Sequence, residues 1–418
     1  MEERKALGWL GRKITWGFSP GVFDEWQGLG VDRVVDTLVD PDDHGVPERP
    51  DPFAEIEFDP ENMGRAVGQG VSAWVLGAAW SPRPLETFMD FFWSDYFAVS
   101  IRSVRPSTFM FAHMNLLSRH GLGNFRDLLH DVTIDAAMLQ FLDGTTNTAG
   151  NPNENYGREL LELYSVGVGN FTEDDVKAAA VALTGWVAPP RSYGARFVPR
   201  RHDDTPQTLL GVGGVNDVAT VIDTVVEQPA THRRVVSKLA TAILGPDHDA
   251  SVTAGIVDRF GEDLELRPVV RSLVELGVDG AAAPSIVEPL PWLVTALRFV
   301  GADPERLGRD GLRRLGGLGA FFRTSGQVPL LPPNVGGFPE PDAYLSTSAT
   351  IARFNLGALL AQRASRYALE ASDDVDRLAR TLGIVDGFTP TTRDAVGSLP
   401  AGPDRIAAAL ASPDLLVV

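Results

Sequence analysis

Asn153-Glu154-Asn155-Tyr156-Gly157-Arg158-Glu159-Leu160-Leu161-Glu162-Leu163-Tyr164 sorts into two stripes when wound as an α-helix. Asn155, Arg158, Glu159 and Glu162 fall on one stripe, and Tyr156, Leu160, Leu163 and Tyr164 on the other. The second stripe needs an apolar surface to bury against, so the block reads as a helix packed on a core. The same three- and four-residue recurrence of apolar side chains runs through most of the chain, and strand signals are scarce. The expected fold is therefore mainly α: a multi-helical single large domain, or two packed helical subdomains.

Around that block, helices are expected at 7–16, 20–38, 62–80, 84–99, 106–119, 124–142, 153–166 and 172–186. Thr172-Glu173-Asp174-Asp175 is a helix start with acidic groups in the first turn, and Ser19-Pro20 reads as another. Between 187 and 215 the helical period lapses among Pro189, Pro190, Pro199 and Pro206, so a short irregular or β-hairpin insertion is expected there. Helices resume at 217–227, 229–243, 251–276, 285–299, 306–322, 346–367, 375–382, 391–398 and 405–411. Residues 40–60 read as a surface excursion and the proline-rich 329–341 as a connection. The organisation expected is an N-terminal helical region at 1–186, the insertion at 187–215, and a C-terminal helical region at 216–418 packed on the first.

The 418 residues are 44% hydrophobic and 22% charged, the balance of a globular chain rather than a disordered or fibrous one. With 37 basic against 55 acidic side chains the net charge is −18, which argues against nucleic acid and anionic membranes as partners. The absence of cysteine removes disulfides, thiolate metal sites and cysteine nucleophiles. Only four lysines occur, Lys5, Lys13, Lys177 and Lys238. The N-terminus has no apolar leader and the densest apolar run, 71–80, is too short to span a bilayer, so the chain as written reads as soluble, cytoplasmic and without a membrane span. P-loop, Gly-x-Ser-x-Gly, His-Glu-x-x-His and kinase signatures are absent.

Four segments carry side chains that suit chemistry. Glu159 and Glu162 can serve as metal ligands or as an acid/base pair if they face a cleft, with Arg158 fixing an anionic group. The plainer alternative is an exposed face on which Glu154, Arg158 and Glu162 pair at four-residue spacing. In Arg200-Arg201-His202-Asp203-Asp204, the neighbouring carboxylates favour a charged His202, suited to acid/base work, against the alternative of a solvated turn. Phe88 to Phe97 is aromatic around most of a helix, so Asp90 and Asp95 need partners, with Arg126 or Arg158 expected. Gly121-Leu122-Gly123-Asn124 before a helix is a weak anion-binding signal.

Taken together, Gly123 to Leu129, Met138 to Asp143, Asn153 to Leu163, Glu173 to Val176, Thr184-Gly185-Trp186, His202-Asp203, and the segment from Pro332-Pro333-Asn334 to Phe338-Pro339 resemble the bacterial family called domain of unknown function 1800. The resemblance implies a helical fold and frequent export of relatives. It also implies company with a second family resembling alkaline phosphatases and sulfatases, which makes an alkaline-phosphatase-like protein the expected partner. This chain departs from the family pattern at Ser94, Tyr96 and Tyr164, where relatives carry histidine, and at Gln207, where they carry lysine. Two readings follow. One is an accessory or binding protein with a polar cluster of Asp95, Arg126, Asn155 and Glu154 joined to Arg158, Glu159, Glu162 and His202. The other is a hydrolase-type enzyme using Glu159, Glu162, His202, Asp203 and Arg158, with or without a divalent metal. The residues name no cofactor, and both readings expect the 153–164 helix to meet His202 in space.

Overall fold

The computed structural model describes residues 2–54, 56, 63–192, 194–302 and 318–418. The chain is mainly α, as expected, and the insertion forms two small antiparallel hairpins, Trp186–Val187 with Arg196–Phe197 and Gln207–Leu209 with Val212–Val215. One contiguous set of buried apolar side chains runs from Leu7 to Leu416, so N- and C-terminal segments share a core. Among the described residues no helix is long and apolar enough to cross a membrane. Most of the helix expected at 306–322 lies outside the described residues, which resume with the helix Leu318–Ser325.

Four expected helices are broken by local chemistry, among them the 346–367 block, where Thr347–Ala361 ends and Ser365 caps a new helix, Arg366–Ala371. The 20–38 block is two helices, Val22–Leu29 and Val31–Val39, parted at Gly30 with φ 84°; the first starts after Gly21, not at Ser19-Pro20. The 124–142 block is parted where Asp135 Oδ2 accepts the amides of Ala137 and Met138, starting Ala136–Phe141 afresh. The 251–276 block is parted at Leu264, with φ 62°, into Ala254–Asp263 and Leu266–Leu276. Apolar spacing continues across each break because both halves bury against the same core, so periodicity alone cannot see it.

Two helices end alike. Glu3–Trp9 runs into a π-turn at Leu10–Ile14, and Glu154–Glu159 into one at Leu160–Tyr164. Each π-turn is followed by a hydroxyl that donates back to the turn, Thr15 Oγ1 to the Gly11 carbonyl at 2.9 Å and Ser165 Oγ to the Leu160 carbonyl at 2.7 Å. Each then reaches a glycine with positive φ, Gly17 or Gly167, whose amide turns back six residues to Gly11 or Leu161. A distant arginine takes the carbonyls left over. Arg298, buried in the Pro289–Phe299 helix, donates to Thr15 and Gly17 and to Ala78 and Ala79 at the end of Met63–Ala79. Arg234 donates from Pro229–Leu244 to the Leu163 carbonyl at 2.9 Å. Helix C-termini buried in protein need such donors.

Candidate functional site

In the Asn153–Tyr164 block most of the polar groups are committed to folding contacts. Asn153 caps the helix by accepting the Asn155 amide at 3.0 Å, Asn155 Nδ2 donates to the Leu142 carbonyl at 3.1 Å, and Tyr156 donates to the Val132 carbonyl at 3.3 Å. Gly157 lets the helix lie directly on Glu173–Ala182, since a Cβ there would stand 3.1 Å from the Val176 carbonyl. Arg158 donates to both oxygens of Glu173, at 2.8 and 2.7 Å, and to Glu154 at 3.4 Å. Glu159 and Glu162 are half-buried. Burial, then the charge of Glu162, raises the pKa of Glu159, with Arg158 opposing.

His202 is fastened elsewhere. Its Nδ1 donates to the Thr184 carbonyl at 3.0 Å and lies 3.1 Å from Thr184 Oγ1, which also accepts the Asp203 amide at 2.8 Å. Its ring meets the edge of Phe197, and Gly185 lets the chain close on it. The Asp203 carboxylate accepts from Thr205, which lowers its pKa. Arg158 is thus tied to the first residue of the Glu173–Ala182 helix and His202 to a residue just past its last, two anchor points about 15 Å apart along the axis. Arg126 pairs with Asp223 and Glu227 on the surface, and Asp90 takes Arg49 at 2.6 Å rather than Arg126 or Arg158. Among the described residues no three His, Asp or Glu side chains are grouped to hold a metal.

The ninth residue named from sequence, Asp95, stands apart from the others and lines a cavity of ≈ 170 Å³. The walls are aromatic: Trp16, Phe88, Phe91 and Phe92, with Phe338 across from them. Trp16 meets Phe91 edge-on at 5.5 Å and holds φ 55°, a conformation that a bulky side chain seldom adopts. Between these walls lie Lys13, on the first π-turn, and Glu288, at the start of Pro289–Phe299. Lys13 Nζ donates to Ser285 Oγ at 2.7 Å, and Gln327 Nε2 donates to Glu288. Asp95 Oδ1 accepts the Phe338 amide at 2.7 Å, and Gly337, with φ 88°, allows the proline-rich loop this close. Lys238 and Glu340 are exposed at the rim.

Burial is the leading influence on all three inner groups. It pushes Asp95 up to about 6, against the Phe338 amide and Lys238. It pushes Glu288 up to about 7, helped by the charge of Asp95 and opposed by Gln327 and Lys13. It brings Lys13 down to about 8, with Glu288 opposing. An amine and two carboxyls that exchange protons near neutrality, in a walled cleft, are suited to binding a polar head group and to moving protons.

The family model described as "Protein of unknown function (DUF1800)" matches residues 9–417. The chain belongs to that family. No curated protein and no solved structure matches it.

Within this family member, Lys13 and Glu288 escaped sequence reading because they lie 275 positions apart, Lys13 beside Arg12 and Glu288 between Val287 and Pro289, in no recognisable motif. Two signals pointed toward them. Lysine is scarce, and two of the four, Lys13 and Lys238, line one cavity. The Phe338-Pro339 segment that carries part of the family resemblance forms its outer wall.

Proposed function

We propose that the chain is a binding protein for a small molecule with an aromatic or apolar body and a polar head, and that the Trp16–Asp95–Glu288 cavity is its site. The observation that carries this reading is the enclosure of Lys13, Glu288 and Asp95 by aromatic walls. Burying such groups costs folding free energy, and clusters of proton-exchanging groups shifted by burial in a cleft are where binding and catalytic sites are found. The positive φ of Trp16, at the same wall, is a second local strain of the kind that gathers at binding sites. The volume suits a single-ring ligand, since an apolar cavity of about 150 Å³ accepts benzene. In this reading the Arg158 and His202 contacts hold the helices and the first hairpin in register. They support the accessory or binding role over a hydrolase built on Glu159, Glu162 and His202, because Arg158 is already spent on Glu173 and His202 Nδ1 on Thr184.

Saturation-transfer NMR with benzyl alcohol tests the assignment. The wild-type chain is expected to transfer magnetisation to the ring. Ala242→Phe, which places a ring into the cavity wall, is expected to abolish transfer while the circular dichroism and melting curve stay native. Equal transfer in both proteins would place the ligand elsewhere.

A further inference from the structure

We propose that the Lys13 amine condenses reversibly with the carbonyl group of a small aldehyde or ketone held in this cavity. The inference rests on the cavity being a ligand site and adds the chemistry that its ligand undergoes. Lysines on the surface of this chain are held as ammonium by carboxylates: Lys5 pairs with Asp386 and Lys177 with Asp174, each at 3.0 Å. Lys13 is bonded instead to a neutral hydroxyl, Ser285 Oγ, at 2.7 Å. A hydroxyl can accept from an ammonium or donate to a free amine, so the contact survives loss of the proton. Both partners are rigidly mounted. Lys13 sits on the π-turn whose end is held by Arg298, and the Ser285 backbone exchanges two hydrogen bonds with Val418, at 2.8 and 2.9 Å.

The condensation needs no oxidant or co-reactant. The Nζ lone pair forms a bond to the carbonyl carbon, and the carbonyl oxygen gains a proton, giving a carbinolamine. Nitrogen then gives up a proton, and the hydroxyl takes one and leaves as water as the C=N bond forms. Glu288, the carboxyl whose charge acts on Lys13, can supply and recover that proton. Burial supports the step by bringing the Lys13 pKa down to about 8. The aromatic walls provide a place for the body of the carbonyl compound.

The experiment uses the full chain, benzaldehyde and cyanoborohydride at pH 7.5, followed by proteolysis and mass spectrometry. Because there are only four lysines, one digest reads all of them. At that pH, Lys13 is expected to hold about 200 times more free amine than an ordinary lysine, and its lower basicity takes back about 20-fold in nucleophilicity, so benzylation should be about tenfold faster than at Lys5 or Lys177. Lys13→Arg should remove the fast label and leave the slow ones. Equal rates at all lysines, or fastest labelling at Lys238, would overturn the proposal. Benzyl alcohol separates this failure from that of the binding site: transfer to benzyl alcohol without fast Lys13 labelling refutes the amine chemistry alone, whereas neither signal refutes both.

Discussion

Replacing Glu288 with Gln is expected to stabilise the protein, and to do so more strongly as the pH rises. The carboxyl is held at about 7 against an ordinary 4.5, mainly by burial. The folded state therefore keeps a proton that the unfolded chain has released, and stability falls as pH rises from 4.5 to 7 and then stays low. At about 1.4 kcal/mol per tenfold, the burden is about 1 kcal/mol at pH 5.5 and about 3 kcal/mol at pH 8. A glutamine keeps the shape and can still accept from Gln327 Nε2, but cannot ionise. Lys13 changes little below pH 7, since its pKa is about 8, and most of the Asp95 change is complete near 6. Urea unfolding of both proteins at pH 5.5 and pH 8 measures the effect. The variant should gain about 2 kcal/mol relative to wild type between the two pH values. Parallel behaviour of the two proteins, or a variant less stable than wild type at pH 8, would show that Glu288 is not a desolvated charge.

Arg298→Met should cost about 3–5 kcal/mol in denaturant unfolding, because carbonyls at two buried helix ends lose the guanidinium that donates to them; an unchanged unfolding midpoint would mean that water replaces the guanidinium. Gly337→Ala forces a Cβ to 2.4 Å from Asp95 Oδ1 at a φ of 88°, so it should displace the outer loop, lower stability by about 1–3 kcal/mol and weaken benzyl alcohol binding. Thr184→Val keeps the shape but removes the hydroxyl shared by His202 and the Asp203 amide, and faster hydrogen exchange at Asp203 and Val198 is expected while exchange in the Pro229–Leu244 helix is unchanged. Arg158→Ala should shift the melting temperature by about 2 °C or less, because its partners Glu154 and Glu173 are solvent-exposed; a large drop would place it in an interior network.

Helices were legible in the sequence where local chemistry starts them. Thr172 and Asp175 form a reciprocal capping box, and Asp175 Oδ1 also ties down the second hairpin through the Leu210 amide at 2.6 Å. Helix breaks were less legible, because Asp135 and Leu264 interrupt the backbone without interrupting the apolar spacing. In the Asn-Glu-Asn-Tyr block, Asn153, Asn155, Tyr156 and Gly157 are each used in capping, turn closure or close helix approach. Motif density reflected folding constraints there. The cavity was illegible for the opposite reason: its charged groups come from five separate segments, and nothing in the spacing of Lys13, Asp95, Lys238, Glu288 and Glu340 announces that they meet.

Arg298 links these two kinds of information. It lies on the helix that Glu288 caps, almost three turns on, and its guanidinium holds the carbonyls that follow the π-turn carrying Lys13. One helix therefore fixes both the carboxyl and the amine of the cavity, the first directly and the second through backbone. A variant that breaks the Arg298 contacts should loosen Lys13 relative to Glu288 before the core around Leu160 and Val176 yields. Chemical labelling of Lys13 and hydrogen exchange at Thr15 and Gly17 would then change at temperatures where exchange in Glu173–Ala182 is still native. Simultaneous loss of both would mean that the π-turn is held by the core as a whole and that Arg298 only fills space.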